Sequence, residues 1–315
     1  MKHSLLTSCA LAWLGLVVAT GLLAPWLPLP YDPAAADLTQ LAVPPSWQGT
    51  APHYLGTDPL GRDLLGGLVA GARHLVLLLV PATVLATAAG ALLGGAAGYW
   101  GNQQLRLPLP AWLLALGAAW WGLRLPAAVG LGAAFLLVLA TRPKRGGLAL
   151  PLDTVVLGMT TLLGVVPRLL LLLVWVSGPP LGSGGLLLLL ALLAWPDTAR
   201  LVRTHMRQVR GQPFIEAASA LGLPPGRVWW HHALPAACRP LRAFAPITLA
   251  GLVGLDSTLS FLGVGTAATS SWGLLLGEVR LEPGAWWLVA GPGLSLLLTL
   301  LALQLLSRQS ASQPQ

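Results

Sequence analysis

Long apolar runs separated by short polar stretches dominate the chain. Leu5–Ala24, Leu75–Tyr99, Leu152–Ser177, Gly184–Leu201, Ala245–Val264 and Trp286–Leu306 are each nearly free of charge. A run of about 20 apolar residues crosses a bilayer as a helix, and only a helix or a closed barrel can satisfy the backbone in hydrocarbon. Pro25 to Arg73 is a polar interlude rich in proline and turn residues, and residues 203–243 form the next longest polar stretch. The pattern predicts an all-α, polytopic helical membrane bundle.

Residues 109–140 are also apolar, but "LRLP" at Leu123–Pro126 interrupts them. Two limbs of about 15 residues reach only about 23 Å each, short of a ~30 Å hydrocarbon core. They form either two thin spans or a re-entrant hairpin. Two spans, the favoured reading, bring the total to eight.

Composition sharpens this picture. The 315 residues are 55% hydrophobic and 9% charged, with 37 glycines and 27 prolines. Both residues are commoner in membrane helices than in soluble ones. The net charge of +8 does not mark a nucleic-acid binder, because no basic face is separable from the spans. The basic residues instead set orientation. With the N-terminus inside, Lys2, Arg106, Arg142, Lys144, Arg145, Arg200, Arg203, Arg207, Arg210, Arg227, Arg239, Arg242 and Arg308 are cytoplasmic, and Arg62, Arg73, Arg124 and Arg280 are outside. That asymmetry follows the positive-inside rule. Arg106 and Arg142–Arg145 then flank the apolar hairpin on one side, so it crosses an even number of times. Leu5–Ala24 reads as an uncleaved anchor rather than a removed signal peptide. Cys9 and Cys238 imply no disulfide framework.

Within the cytoplasmic stretch, Gln212–Leu221 reads as one short helix. Pro213 suits its first turn, Glu216 its positive N-terminal end and Gly222 its C-terminal cap. Pro224-Pro225 prevents continuation. Such a helix is too short to stand alone, and Ala217, Ala218, Ser219, Ala220 and Gly222 let another surface approach closely. It is either a solvated loop helix or a docking element. Arg227–His232 reads as a second short helix ended by Leu234-Pro235. His231 and His232 point different ways on a helix and do not chelate a metal.

These residues carry a family likeness. Glu216-Ala217-Ala218-x3-Gly222 followed by Leu234-Pro235 resembles the cytoplasmic EAA signature of ABC-importer permeases. "YLGTDPLGRDLLGGLVAGAR" (54–73), "LLGGAAGYWG" (92–101), "STLSFLGVG" and "SWGLLLGE" (257–278) resemble the second permease of the dipeptide, oligopeptide and nickel importer group. "PYDP" (30–33) and "PPSW" (44–47) fit it too. The resemblance implies a MetI-like permease fold of six core spans, with the apolar hairpin 103–148 as an insertion. It implies an anchor at 1–24, an extracytoplasmic loop at 25–74, a permease domain at 75–308 with an EAA loop at 207–240, and a polar tail at 309–315. It also implies a bacterial inner-membrane location and four kinds of neighbour: a homologous second permease, two cytoplasmic ATPase subunits, an extracytoplasmic binding protein and membrane lipid. Glu216, Ala217, Ala218, Gly222, Leu234 and Pro235 would couple to an ATPase. Two departures stand out: Asp256 where the family commonly has glutamate, and Ala236 where it has asparagine.

The chain carries no enzyme signature. Its two lysines, Lys2 and Lys144, lie in no Gly-rich phosphate loop, so the resemblance places ATP on separate subunits, with no cofactor or metal here. Alternative readings are a nickel or other small-solute importer permease, a secondary transporter working alone, and a membrane-embedded enzyme. Relay residues for a lone transporter are scarce. Arg168, within a span, either snorkels, or faces the translocation path or pairs with Asp256. Asp256 and Ser260 either bond locally or line the pore. In "GTDPLGRD", Thr57 or Asp58 reads as a helix cap before Pro59, and His53 and His74 read as isolated structural residues.

Overall fold

The computed structural model describes residues 2–28, 31, 35–46, 53–102, 106–107, 148–149, 151–176, 182–263 and 271–312. Among these, five helices are long and apolar enough to cross a membrane, or six if a broken pair counts as one. The chain divides into one unit of residues 1–85, 167–190 and 242–315, and another of 86–166 and 191–241.

In the first unit, α1 runs Lys2–Leu23 and ends in a 3₁₀ turn, Ala24–Trp26, where Pro25 enters. The next helix starts earlier than the hydrophobic pattern predicts. α2 is Leu64–His74, and it passes through a π turn, Leu75–Leu79, into α3, Val80–Trp100. Arg73 and His74 look like the end of a loop in the sequence, but Leu64–Ala72 is apolar and simply extends the span. The π turn has a local cause. Val80 N–H bonds back five residues to Leu75 O, immediately before Pro81, which has no N–H to offer.

The remaining helices of this unit are α5, Arg168–Val176; the start of α6, Ser183–Arg210; α10, Leu241–Phe261; α11, Trp272–Gly277; and α12, Trp287–Ser312. Trp13 on α1 donates from Nε1 to Thr299 Oγ1 on α12 at 3.0 Å. Gly71 on α2 leaves room for the Trp272 ring, whose Nε1 donates to Leu68 O at 2.9 Å. Trp287 likewise ties α12 to Thr57 O at 3.0 Å.

In the second unit, α3 packs on α6 through Gly90, Gly94 and Gly98, one face repeating every four residues. A Cβ on Gly94 would lie 2.2 Å from Ala199 O. Small residues at this spacing allow the close backbone approach that drives membrane helix pairing. A two-residue antiparallel ladder, β1 Arg106–Leu107 with β2 Leu148–Ala149, brings together the two ends of the segment expected to be an apolar insertion. The insertion's interior, with its two expected limbs, lies outside the described residues. α4, Leu152–Val165, follows, and the expected span Leu152–Ser177 breaks at Val166-Pro167. Proline disfavours a helical conformation at the residue before it, and Val166 is extended at φ −85°, ψ 128°.

The loop before α2 is held by "GTDPLGRD". Gly61 sits at φ +77°, and a Cβ there would lie 2.0 Å from Asp37 O. Gly61→Ala therefore lowers stability by at least about 2 kcal/mol, from left-handed strain plus the clash. An unchanged melting temperature in detergent would refute this.

Candidate functional site

α6 runs nine residues past the predicted end of its span, carrying Arg203, Arg207 and Arg210. Asp153, at the start of α4, accepts from Arg203 Nε, from Arg203 Nη2 at 2.8 Å and from Arg207 Nη2 at 2.7 Å. Arg200 Nη2 donates to Thr160 O on the same helix. Three arginines, two of them on one carboxylate, thus fix α4 against the polar end of α6.

Beyond Gly211 the chain forms α7, Pro213–Ala220, with Gln212 as its N-cap residue and Pro213 in its first turn. Its end is a complete Schellman motif. Gly222 adopts φ +76°, its N–H bonds to Ser219 O at 3.0 Å, and Leu223 N–H bonds to Ala218 O at 3.4 Å. The helix buries Ile215 and Ala218. Glu216, Ala217, Ala220 and Gly222 face outward, and Leu221 is 82% exposed. A short helix that leaves most of its surface open, including a leucine, meets the physical requirement for a docking element.

The following segment differs from the sequence reading. α8 is Pro225–Val228, a π turn spans Trp229–Ala233, and α9 is Leu234–Ala237, so Leu234-Pro235 continues the helix rather than ending it. The reason repeats the one at Pro81: Leu234 N–H reaches back to Trp229 O, and Pro235 follows with no donor. Trp229 is buried beside Trp100, with ring centroids 4.9 Å apart. Leu234 is half-buried and Pro235 exposed.

Arg168 is the first residue of α5, directly after the break at Pro167, and is half-buried. Asp256 on α10 is 5% exposed and Ser260, one turn on, is half-buried. Asp256 meets His74 of α2, whose Nε2 lies 3.2 Å from both carboxylate oxygens. His74 is therefore not isolated. Nor is His53, whose Nδ1 is 3.0 Å from Asp63 Oδ1 while its ring stacks on Tyr31 at 4.3 Å.

The two aspartates of "GTDPLGRD" divide their work. Asp63, not Thr57 or Asp58, caps α2 by accepting from Gly66 N–H at 2.9 Å. Gly61's left-handed turn delays the helix past Pro59. Asp58 holds the turn by accepting from Leu60 N–H at 2.8 Å and Arg62 N–H at 2.7 Å. Arg62 then bridges Asp58 and Glu278, which opens the 3₁₀ turn Glu278–Arg280 after α11. "GTDPLGRD" and "SWGLLLGE", over 200 residues apart in sequence, thus meet through Arg62.

The family described as "Binding-protein-dependent transport system inner membrane component" matches residues 146–311, more than half of the chain. The chain belongs to that family. Membership makes it a multi-pass inner-membrane transport permease rather than an enzyme. It acts in an ABC importer with permease, ATPase and binding-protein components. Individual relatives agree over most of their length. A candidate peptide permease protein of Brucella suis biovar 1 is 30% identical over 299 residues, covering 92% of this chain and 81% of that one. A di/tripeptide transport system permease of Pseudomonas aeruginosa is 29% identical, covering 92% and 81%. A dipeptide transport system permease of Haemophilus influenzae is 27% identical, covering 92% and 83%.

Within this permease the sequence reading missed the carboxylate partnerships: Asp153 with Arg203, Asp256 with His74, and Glu278 with Arg62. One signal was available. Arg203 and Arg207 lie four residues apart on a helix, a spacing that aims both at one acceptor. The other pairs join residues 182 and 216 positions apart and leave no periodic trace.

Proposed function

We propose that this permease forms half of the translocation pathway of an ATP-driven importer of small peptides. A homologous second permease supplies the other half, two ATPase subunits sit in the cytoplasm, and a binding protein delivers cargo from outside. The coupling role rests on one observation, the outward face of α7. Glu216 and Ala217 are exposed, and nothing among the described residues lies near the Cβ position of Gly222, so an ATPase groove can take the helix at close range. Ala218 supports that face from behind, and Leu234 and Pro235 continue the same loop. Movement of a seated α7 would pass along α6 as a rigid-body displacement. The names of the di/tripeptide, dipeptide and oligopeptide relatives support a peptide cargo.

The Lys/Arg asymmetry supports a cytoplasmic N-terminus, placing 207–240 inside and 25–63 outside, with the anchor at 1–24 and the permease domain through 308. Arg168, Asp256 and Ser260 are the polar groups we assign to the path, Asp256 acting together with His74. Reconstitution in proteoliposomes tests the reading. ATP-dependent uptake of a labelled dipeptide should require the second permease, the ATPases and the binding protein together. Uptake by this chain alone, or uptake indifferent to ATP, would overturn it.

A further inference from the structure

Glu278 is buried, 7% exposed, in a site that holds more negative charge than it neutralises. One guanidinium, Arg62, serves two carboxylates: its Nε donates to Asp58 Oδ2 and its Nη2 to Glu278 Oε1. Asp58 is better provided, because Leu60 and Arg62 N–H groups also bond to its Oδ1. Glu278 Oε2 is enclosed, and among the described residues no donor reaches it. A buried carboxylate oxygen that no donor reaches is costly as an anion and cheaper as a hydroxyl.

Among the described residues no other cation relieves the site. On Glu278's own turn, Arg280 is committed elsewhere: Nε donates to Gly277 O, Nη2 to Phe261 O, and the guanidinium lies 5.0 Å from the Phe261 ring centre. Glu282 is exposed. Asp63, in the same loop as Arg62, is engaged by His53 and Gly66. α12 offers the neutral Trp287, occupied by Thr57 O, and α11 and the first two turns of α2 carry no charged side chain. Glu278 also stands at the C-terminal, carbonyl-rich end of α11, which opposes negative charge.

We propose that Glu278 is a reversible proton-binding site, the proton residing on Oε2. Its occupancy sets how tightly Arg62 ties the 53–63 loop to the 278–280 turn. Burial, then the Asp58 charge, push the Glu278 carboxyl up to about 8 against the opposing pull of Arg62. At pH 7 the site is neutral overall, with Arg62 balancing Asp58. Above about 8 the proton leaves and Arg62 bridges two full anions. The folded chain keeps a proton that the unfolded chain has already released, so stability falls as pH rises from the ordinary glutamate range near 4.5 to about 8. If the loop lies outside, as proposed above, the proton exchanges with the medium from which cargo arrives. The proton site itself does not depend on that placement.

Infrared difference spectra of the complete importer in nanodiscs, taken between about pH 6 and pH 10, test the site. We expect a protonated-carboxyl stretch that titrates with a midpoint near 8 and disappears in Glu278→Gln. Asp58→Asn should weaken proton binding about tenfold, since a neighbouring anion is lost. That variant keeps the test open should Glu278→Gln fail to fold. Absence of the band from the wild-type protein at neutral pH would overturn the proposal. So would a band that survives Glu278→Gln, or a midpoint unmoved by Asp58→Asn.

Discussion

Ala217→Trp should abolish coupled transport while leaving the permease folded. Ala217 is exposed on α7, a surface position where substitution changes stability by about 0.5 kcal/mol or less. The added volume falls wholly on whatever seats α7. A wedge costing about 2.8 kcal/mol at that contact lowers ATP-driven uptake about a hundredfold. Gly222→Ala provides the comparison. No atom lies within 4 Å of its Cβ position, but the backbone is at φ +76°, so its cost is internal, about 1–2 kcal/mol in the helix end. Uptake, complex recovery and melting temperature separate the two. Wild-type uptake with Ala217→Trp would remove α7 from the coupling role.

His74→Leu should be among the most damaging single substitutions in the spans. It leaves Asp256, 5% exposed, as a carboxylate without its imidazole partner in a bilayer-spanning helix. Removing one member of a buried hydrogen-bonded pair costs about 1–3 kcal/mol, because the survivor keeps its desolvation penalty. The double variant His74→Leu/Asp256→Leu removes both polar groups and should recover most of the loss. Thermal unfolding of the purified complex gives both values. If the single variant is as stable as wild type, or the double variant is no better than the single one, the pair does not contribute to the stability of the unit. A pair that serves transport as well as packing shows a second signature: the double variant regains stability but not uptake.

The spans were legible because hydrocarbon imposes one rule on every residue of a segment. α1, α10 and α12 each begin or end within a few positions of the apolar blocks. α7 was legible for another reason: Pro213, Glu216 and Gly222 each obey a local helix-end rule. What the sequence hid depended on contacts across space. Arg73-His74 reads as loop until Asp256 is seen beside His74. The cap of α2 fell to Asp63 rather than Asp58 because Gly61's left-handed turn, packed on Asp37 O, delays the helix past Pro59. Leu234-Pro235 read as a stop, since a proline usually is one. The π turn before it supplies a bond that bypasses the missing donor.

The two-residue ladder between Arg106–Leu107 and Leu148–Ala149 separates two problems that a long insertion normally entangles. Neighbouring strands lie about 4.8 Å apart whatever length of chain joins them, and loop-closure entropy grows only logarithmically with that length. The exit of α3 and the entry of α4 therefore sit at a fixed gauge, and the intervening segment is free to change in size or sequence without re-registering the helices. Mechanically, the clasp makes this position a port at which chain can be added or removed.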